Sequence, residues 1–532
     1  MDVELALTVI LIAIVALLVA AQFLRIPYPI MLVIGGLALG LIPPLPDVEL
    51  EPDVVLVVLL PPLLYAAAFF TPLRELRRNV GSISLLAIGL VLATMVGVAV
   101  VAHEVLEFGW AEAFVLGAIV SPTDPVAATA IARRLNVPGR IVTVVEGESL
   151  INDGTALVAY KFAVAAVLTG SFSLLEASGE FVVSVLGGIA VGIAVGAVIA
   201  FVRRRIHAPP VEITIALFSG YFAYLPAEEI GVSGILAAVT VGIYMGRLTS
   251  QLTSPTTRIQ GAAVFEIVQF LLNSALFVLI GLQLPGILDG IEEIATGELI
   301  LDGALIAATV IAIRMLWVFP FTYGPRYLVP SLRRGHPSPP WQHTLLIAWT
   351  GMRGAVSLAA ALALPLVTDA GADFPNRDLV IFLAFSVILA TLLIQGLSLP
   401  PLIRLLGVDD VDDTLEREEV EARRRAAEAA LARLEELTEE DWVRDDTAER
   451  LRGAYGYRHR RFSARFDPEG DGDGDEWEEF QERSESFQRL TRELLDAQRG
   501  KLIEMRDSGA INDDVLRLLE RELDLEDSRL EI

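Results

Sequence analysis

Cysteine is missing from this chain, which excludes disulfides, thiol chemistry and thiolate metal sites. Histidine is scarce, five residues in 532, and that argues against a haem or zinc centre. Lysine is scarcer still: Lys161 and Lys501 stand against 39 arginines. No nucleophile motif, metal cluster or cofactor fingerprint is present, so a membrane-embedded enzyme finds no support. Positive charge is also short, with a formal net charge of −26. Residues from Asp409 onward hold −18 of it and the first 408 hold −8. So acidic and lysine-poor a chain suits a high-salt cytoplasm, where carboxylates keep the surface hydrated.

What is abundant is apolar. Hydrophobic residues make up 54% and mean hydropathy is +0.56, which a soluble protein does not reach and a polytopic membrane protein does. Runs near the spanning length of about 20 residues occur at 4–24, 27–43, 53–71, 82–103, 111–132, 140–168, 180–202, 211–226, 232–247, 262–284, 299–323, 343–368 and 378–405. The first is long enough to be a transmembrane helix rather than a removed signal. The connections alternate between arginine-rich (Arg74, Arg77, Arg78; Arg133, Arg134; Arg203, Arg204, Arg205) and acidic (Glu104, Glu107; Glu228, Glu229; Asp369, Asp373). The positive-inside rule then puts the N-terminus outside and the tail in the cytoplasm.

This predicts an all-α polytopic membrane protein with about 13 transmembrane helices. Spans 1–6 and 8–13 run in opposite senses, so they form two inverted six-helix repeats joined by span 7. Residues 1–408 are the transmembrane domain and 409–532 a helical cytoplasmic tail. The fifth span of each half is interrupted. Span 5 carries SPTDP, Ser121 to Pro125, and span 12 carries TGMRGAVS, Thr350 to Ser357. Prolines strip hydrogen bonds from a helix, and lipid cannot satisfy the freed carbonyls. Helix breakers at matching places in two halves point to a transporter's binding site; taken alone, they are also compatible with a proline kink and a glycine packing face.

Between them lies EGESLINDGTALV, residues 146–158. Three carboxylates within eight residues of a spanning segment are expensive, about 2.5–3.5 kcal/mol each on insertion scales. Ser149, Asn152 and Asp153 are spaced to share one helix face, while Glu148 lies about 100° round and points to another neighbour. Oxygen ligands without thiolate or imidazole suit a hard cation: Asp153 as the charge, Ser149 as a neutral oxygen, and a freed carbonyl at Thr123 if span 5 crosses here. Desolvation makes a carboxylate harder to ionise, so near neutrality a proton and a metal cation would compete for one group. That competition is sufficient for exchange. Glu148 needs a buried cation. Arg314 is the first choice and leaves Arg353 near Asp124, but an assignment of either arginine to Glu148 stays open.

SPTDPVAA, EGESLINDGTALV, FEIVQFLLNSALFVLIGLQL (265–284) and GMRGAVSLA, in that order, resemble monovalent cation:proton antiporters of the Na+/H+ exchanger branch, the prokaryotic NhaP type, over about residues 1–405. The resemblance implies that Asp153 binds the cation and the proton, and that Ser149, Glu148, Asn152 and Thr123 (through its backbone) complete the site, with Asp153, Ser149 and Thr123 holding Na+. Asp124, Arg314 and Arg353 would support it. Asn152 stands where electrogenic relatives carry a second aspartate, which implies electroneutral exchange. A homodimer with a mobile core in the cell membrane is implied too. No cofactor beyond the transported Na+ and H+ follows, and no nucleic acid.

Three further features are read from the residues. Lys161 lies two turns beyond Asp153, placed either to tune the site or to snorkel to the outer interface. Glu266 and Asn273 in span 10, with Glu146, sit toward the inner half, either lining a cytoplasmic funnel or standing at the interface. In the tail, Asp467, Glu469, Asp471, Gly472, Asp475 and Glu478 match ligand and turn positions of a twelve-residue EF-hand loop, a weak Ca2+ possibility because Pro468 and Gly474 depart from it. The tail has no nucleotide fingerprint, which argues against nucleotide-gated potassium efflux systems. The function expected is Na+/H+ antiport, possible also for Li+. K+/H+ or broad-specificity exchange is the alternative within the mechanism, and a cation channel the alternative outside it, though no carbonyl-filter motif is visible.

Overall fold

The structure is a computed structural model and describes residues 3–24, 26–41, 54–135, 137–170, 174–291, 294–328, 339–408, 413–440, 442–466, 474–508, 510–511 and 513–528. Among these the chain is helical, with one isolated bridge between Val367 and Asp373. It divides into two compact units, 1–411 and 412–532.

In the first unit, eight helices among the described residues are long and apolar enough to cross a membrane: Val80–Leu106, Trp110–Arg134, Gly139–Thr169, Gly179–Arg203, Gly234–Leu252, Pro255–Leu288, Thr296–Gly324 and Arg377–Leu406. Shorter apolar helices cover Thr8–Leu24, Tyr28–Gly40 and Val54–Phe70, and Pro209–Glu229 is a further helix of 21 residues. Large apolar side chains such as Phe23, Val183, Leu301 and Leu316 point outward, as they do where the solvent is lipid.

The two interrupted spans are each two helices. Trp110–Val120 stops, 121–124 lies outside the helix with Asp124 extended, and Pro125–Arg134 resumes. Pro125 occupies the first helical position, where a missing N–H costs nothing, and Asp124 caps it by accepting the Val126 N–H at 2.9 Å. Trp341–Trp349 likewise stops and Ala355–Leu362 resumes after 350–354. The breaks meet: the Asp124 N–H donates to the Met352 carbonyl at 2.8 Å. Helix Gly139–Thr169 packs against members of both broken pairs. On the other flank, Tyr28–Gly40 lies against Pro255–Leu282. There Gly36 and Gly281 oppose each other so closely that a Cβ on either would meet the facing backbone.

The second unit holds four helices among the described residues, Asp413–Leu437, Asp445–Phe466, Gly474–Asp507 and Asp513–Ser528, paired in sequence order. Arg452 bridges the first pair through Glu435 at 2.8 Å, and Arg499 bridges the second through Asp524 and Asp527, both at 2.9 Å. Asp467, Glu469, Asp471 and Gly472 of the EF-hand-like stretch lie outside the described residues, and of the side chains of Asp475 and Glu478 nothing is described.

Candidate functional site

Breaking a helix in mid-span leaves orphan carbonyls at the end of one half and orphan N–H groups at the start of the next. Two side chains at the crossing answer them. Arg353 donates from Nε to the carbonyl of Val120, the last residue of the first half-helix, at 3.0 Å, and from Nη1 to the Gly351 carbonyl. Its own N–H is held by Thr391 Oγ1 at 3.1 Å. Asp124 serves the opposite ends. Its carboxylate caps Pro125–Arg134 and lies against Gly354, the residue before Ala355–Leu362, so closely that a Cβ at 354 would overlap it. Positive charge therefore faces the carbonyl ends and negative charge the N–H ends, as helix dipoles favour.

Glu148 is sealed. Its carboxylate meets the Arg314 guanidinium at two points, Nη1 with Oε1 and Nη2 with Oε2, the latter at 2.9 Å. Side-chain exposure is 1% for Glu148 and 0% for Arg314, so the pair is fully desolvated and holds only because its remaining valences are used. Arg314 also donates to the Ile347 carbonyl at 2.9 and 3.3 Å, and Thr123 Oγ1 donates to Glu148 Oε1 at 3.3 Å. The guanidinium of Arg353 goes to carbonyls instead.

Thr123 is the hub. Its hydroxyl proton is committed to Glu148, so the Asn152 group 2.8 Å away must be the amide NH2, donating to Thr123 Oγ1. Asn152 Oδ1 is left with no hydrogen bond among the described residues. The Thr123 carbonyl accepts from Ser149 Oγ. Ser149 thus keeps oxygen lone pairs unspent, and the carbonyl keeps one.

Asp153 stands apart from all of this. No hydrogen bond or ion pair engages its carboxylate among the described residues, and at 8% exposure it is buried. It faces a cavity of 500 Å3 that also reaches Thr123, Asp124, Ser149 and Ser357. Tyr28, Glu266, Gln269 and Asn273 line the cavity from the opposite wall. Toward one end of helix Gly139–Thr169 the cavity runs to Glu146 and Arg133, paired at 2.7 Å. At the other end Lys161 pairs with Glu228 at 3.0 Å.

The residues named from sequence are thus brought together in two groups. Glu148, Arg314, Thr123, Asn152 and Ser149 form one hydrogen-bonded network, and Thr123 and Ser149 also line the cavity that Asp153 and Asp124 share. Tyr28, Gln269 and Ser357 carry no signal in the sequence, because nothing in local spacing says which face of their helices lines the cavity. Arg203 reads as a connection arginine, yet it is 3% exposed and paired with Glu212 at 3.5 Å; burial at the end of a span is a tertiary fact.

Residues 9–405 match the family model described as sodium/hydrogen exchanger, transmembrane. An uncharacterized Na+/H+ exchanger of Mycobacterium tuberculosis is 37% identical, covering 98% of this chain and 96% of its own. The Na+/H+ antiporter ApNhaP of Aphanothece halophytica is 35% identical over 78% of this chain and 77% of its own. A sodium, potassium, lithium and rubidium/H+ antiporter of Bacillus subtilis is 36% identical over 75% and 61%. Among solved structures, the sodium proton antiporter MjNhaP1 of Methanocaldococcus jannaschii superposes with a TM-score of 0.58 at 19% identity, covering 76% of this chain and all of that one.

Proposed function

We propose, for a chain that belongs to the sodium/hydrogen exchanger family, electroneutral exchange of cytoplasmic Na+ for external H+ at Asp153. Members of this family are membrane transporters and not enzymes. The observation that carries the reading is a contrast between two neighbouring carboxylates. Glu148 is neutralised by Arg314, whereas Asp153 is buried beside a cavity with no partner among the described residues. A charge held that way calls for a mobile counter-charge. A proton or an alkali ion each supplies one, and they exclude each other.

The ligands for the ion are an Asp153 carboxylate oxygen, Ser149 Oγ and the Thr123 carbonyl, with Asn152 close by. All are hard oxygens. Asn152 is uncharged, so one ionisable site carries one ion per crossing and the cycle moves no net charge. Glu148, Arg314, Asp124 and Arg353 hold the broken helices in place. Only the neutralised site crosses the barrier, because moving a bare carboxylate through a low-dielectric passage is costly.

The cavity's open end lies by Arg133, on the arginine-rich side, so by the positive-inside rule it is cytoplasmic, with the N-terminus outside and the tail inside. Matched breaks at 121–124 and 350–354 support thirteen spans in two inverted halves. The resting assembly is a homodimer in the cell membrane, with residues 1–408 as the transport domain and the tail from 409 as a regulatory segment. A second reading is broad alkali-ion specificity. The Bacillus subtilis relative, a sodium, potassium, lithium and rubidium/H+ antiporter, favours it, and none of these ligands rejects K+ by its chemistry.

The test is exchange in proteoliposomes energised by a pH gradient. Addition of Na+ should dissipate the gradient equally with and without a clamped membrane potential, and Asp153→Asn should abolish this while the protein still elutes as a folded species. Transport retained by Asp153→Asn would overturn the assignment. Parallel additions of Li+ and K+ rank the specificity.

A further inference from the structure

A buried hydroxyl without a partner costs about 1–3 kcal/mol, so each one asks what it is waiting for. Among the described residues, Tyr65, Thr94, Thr249, Ser274 and Ser357 carry such hydroxyls. Four of them do not line the cavity that contains Asp153. Ser357 is different: it is 1% exposed, and it lines the cavity that contains Asp153.

Its position follows from the break. Gly354 precedes helix Ala355–Leu362 and rests against the Asp124 carboxylate. Ser357 is one turn further on, in the first turn of that half-helix. Thr123 and Asp124 come to the cavity from the first break and Ser149 from Gly139–Thr169, while Glu266, Gln269 and Asn273 come from Pro255–Leu282. Ser357 is the hydroxyl that the second broken helix brings to the same cavity.

We propose that Ser357 is a ligand for the transported cation, contributed by the second broken helix. The inference rests on the antiport reading of Asp153 and adds a specificity-determining residue to it. A neutral hydroxyl oxygen binds a dehydrated hard cation through a lone pair, and this one is not engaged by protein. Since the ion then touches elements of both halves, its binding ties the two broken helices together. A hydroxyl on a fixed helical turn holds a set distance, so it discriminates between ions by radius.

The experiment uses full-length protein in proteoliposomes, with apparent KM and maximal rate measured for Li+, Na+ and K+. Ser357→Ala removes the oxygen. Ser357→Cys keeps nearly the same shape but replaces a hard ligand with a soft one. Ser357→Thr retains the hydroxyl. Ser274→Ala deletes another unpartnered buried hydroxyl that does not line the cavity. The expected result is a rise in KM for the preferred ion of about tenfold, the size of one charge-assisted contact, in the Ala and Cys variants. The ranking of the three ions should change as well, with maximal rate nearly kept. Ser357→Thr should stay close to wild type in ion ranking, and Ser274→Ala should move neither quantity.

Unchanged KM and ranking in Ser357→Cys would overturn the inference, and so would an equal shift in Ser274→Ala, which would mark a general packing effect. The Cys variant answers the question even if Ser357→Ala fails to fold. Asp153→Asn is run alongside. If it is inactive while the Ser357 variants behave as wild type, only the Ser357 assignment fails; if it still transports, the reading of the whole site fails.

Discussion

Glu148 and Arg314, 166 residues apart, meet at two points in an environment where neither side chain reaches solvent. The pair fastens helix Gly139–Thr169 to Thr296–Leu328, and through Ile347 and Thr123 to both broken helices. It also decides which carboxylate on the first helix is available. With Glu148 held by Arg314 and Glu146 by Arg133, Asp153 is the carboxylate of that helix left without a partner among the described residues.

Removing one side of that pair strands the other. Arg314→Gln should destabilise the protein by about 3–5 kcal/mol, the usual consequence of an uncompensated buried charge. Adding Glu148→Gln to it should recover much of the loss, since two neutral amides can hydrogen-bond where one carboxylate cannot remain bare. Thermal unfolding of the purified protein in detergent reads both variants. A double variant no more stable than Arg314→Gln would mean that the pair's geometry, and not its charge, is what matters.

Lys161 and Glu228 pair at 3.0 Å on the side of Asp153 away from the cavity's open end. Glu228 uses its other oxygen to accept the Gly234 N–H at 3.0 Å, so the contact ties helix Gly139–Thr169 to two neighbours. Both side chains are partly exposed, 61% and 34%, which limits the interaction to about 1 kcal/mol. For a cation that enters at the cavity's open end to leave at the opposite face, as the proposed exchange requires, this contact must open. Lys161→Ala should therefore raise outside accessibility near the site by no more than about fivefold. The natural absence of cysteine makes the measurement direct: a single cysteine replacing Leu157, labelled by an impermeant maleimide from outside. The charge-swapped pair, Lys161→Glu with Glu228→Lys, should return the rate to its starting value. Equal rates in wild type and Lys161→Ala would remove the pair from the cycle.

In the tail, Glu421 accepts from Arg424 at 2.8 and 2.9 Å and from Arg425 at 2.6 Å. Hydrogen bonds from Arg424 and then Arg425 lower its carboxyl to about 2. A depressed carboxylate contributes stability that is present above its unfolded value near 4.3 and disappears as pH falls through about 2. Helix Asp413–Leu437 should thus keep this cluster through mild acid. A carbon-detected NMR titration of the Glu421 carboxyl should show its midpoint near 2, moving upward in Arg424→Ala. A midpoint near 4 in the wild type would mean the cluster does not form in solution.

Much of this was readable along the chain because the relevant physics is local. A run of about 20 apolar residues either spans or stays insoluble, and Pro122, Pro125, Gly351 and Gly354 interrupt helices wherever those helices go. Helical spacing alone turns Glu148 away from Asp153, toward Arg314 in one case and the cavity in the other. Other facts had no local trace. Helix bounds moved by several residues, as at Pro209–Glu229, because capping and packing set the ends.

The order of residues by itself therefore determined that this is a membrane protein of apolar helices, interrupted at two places and carrying costly carboxylates between them. Only the tertiary structure decided which arginine answers Glu148, that Arg353 serves the Val120 carbonyl, and that Ser357 shares a cavity with Asp153. The physical reason is range. Backbone hydrogen bonding and transfer from water act on neighbours in sequence, whereas ion pairs, close backbone approach and enclosed space exist only between segments that packing has brought together.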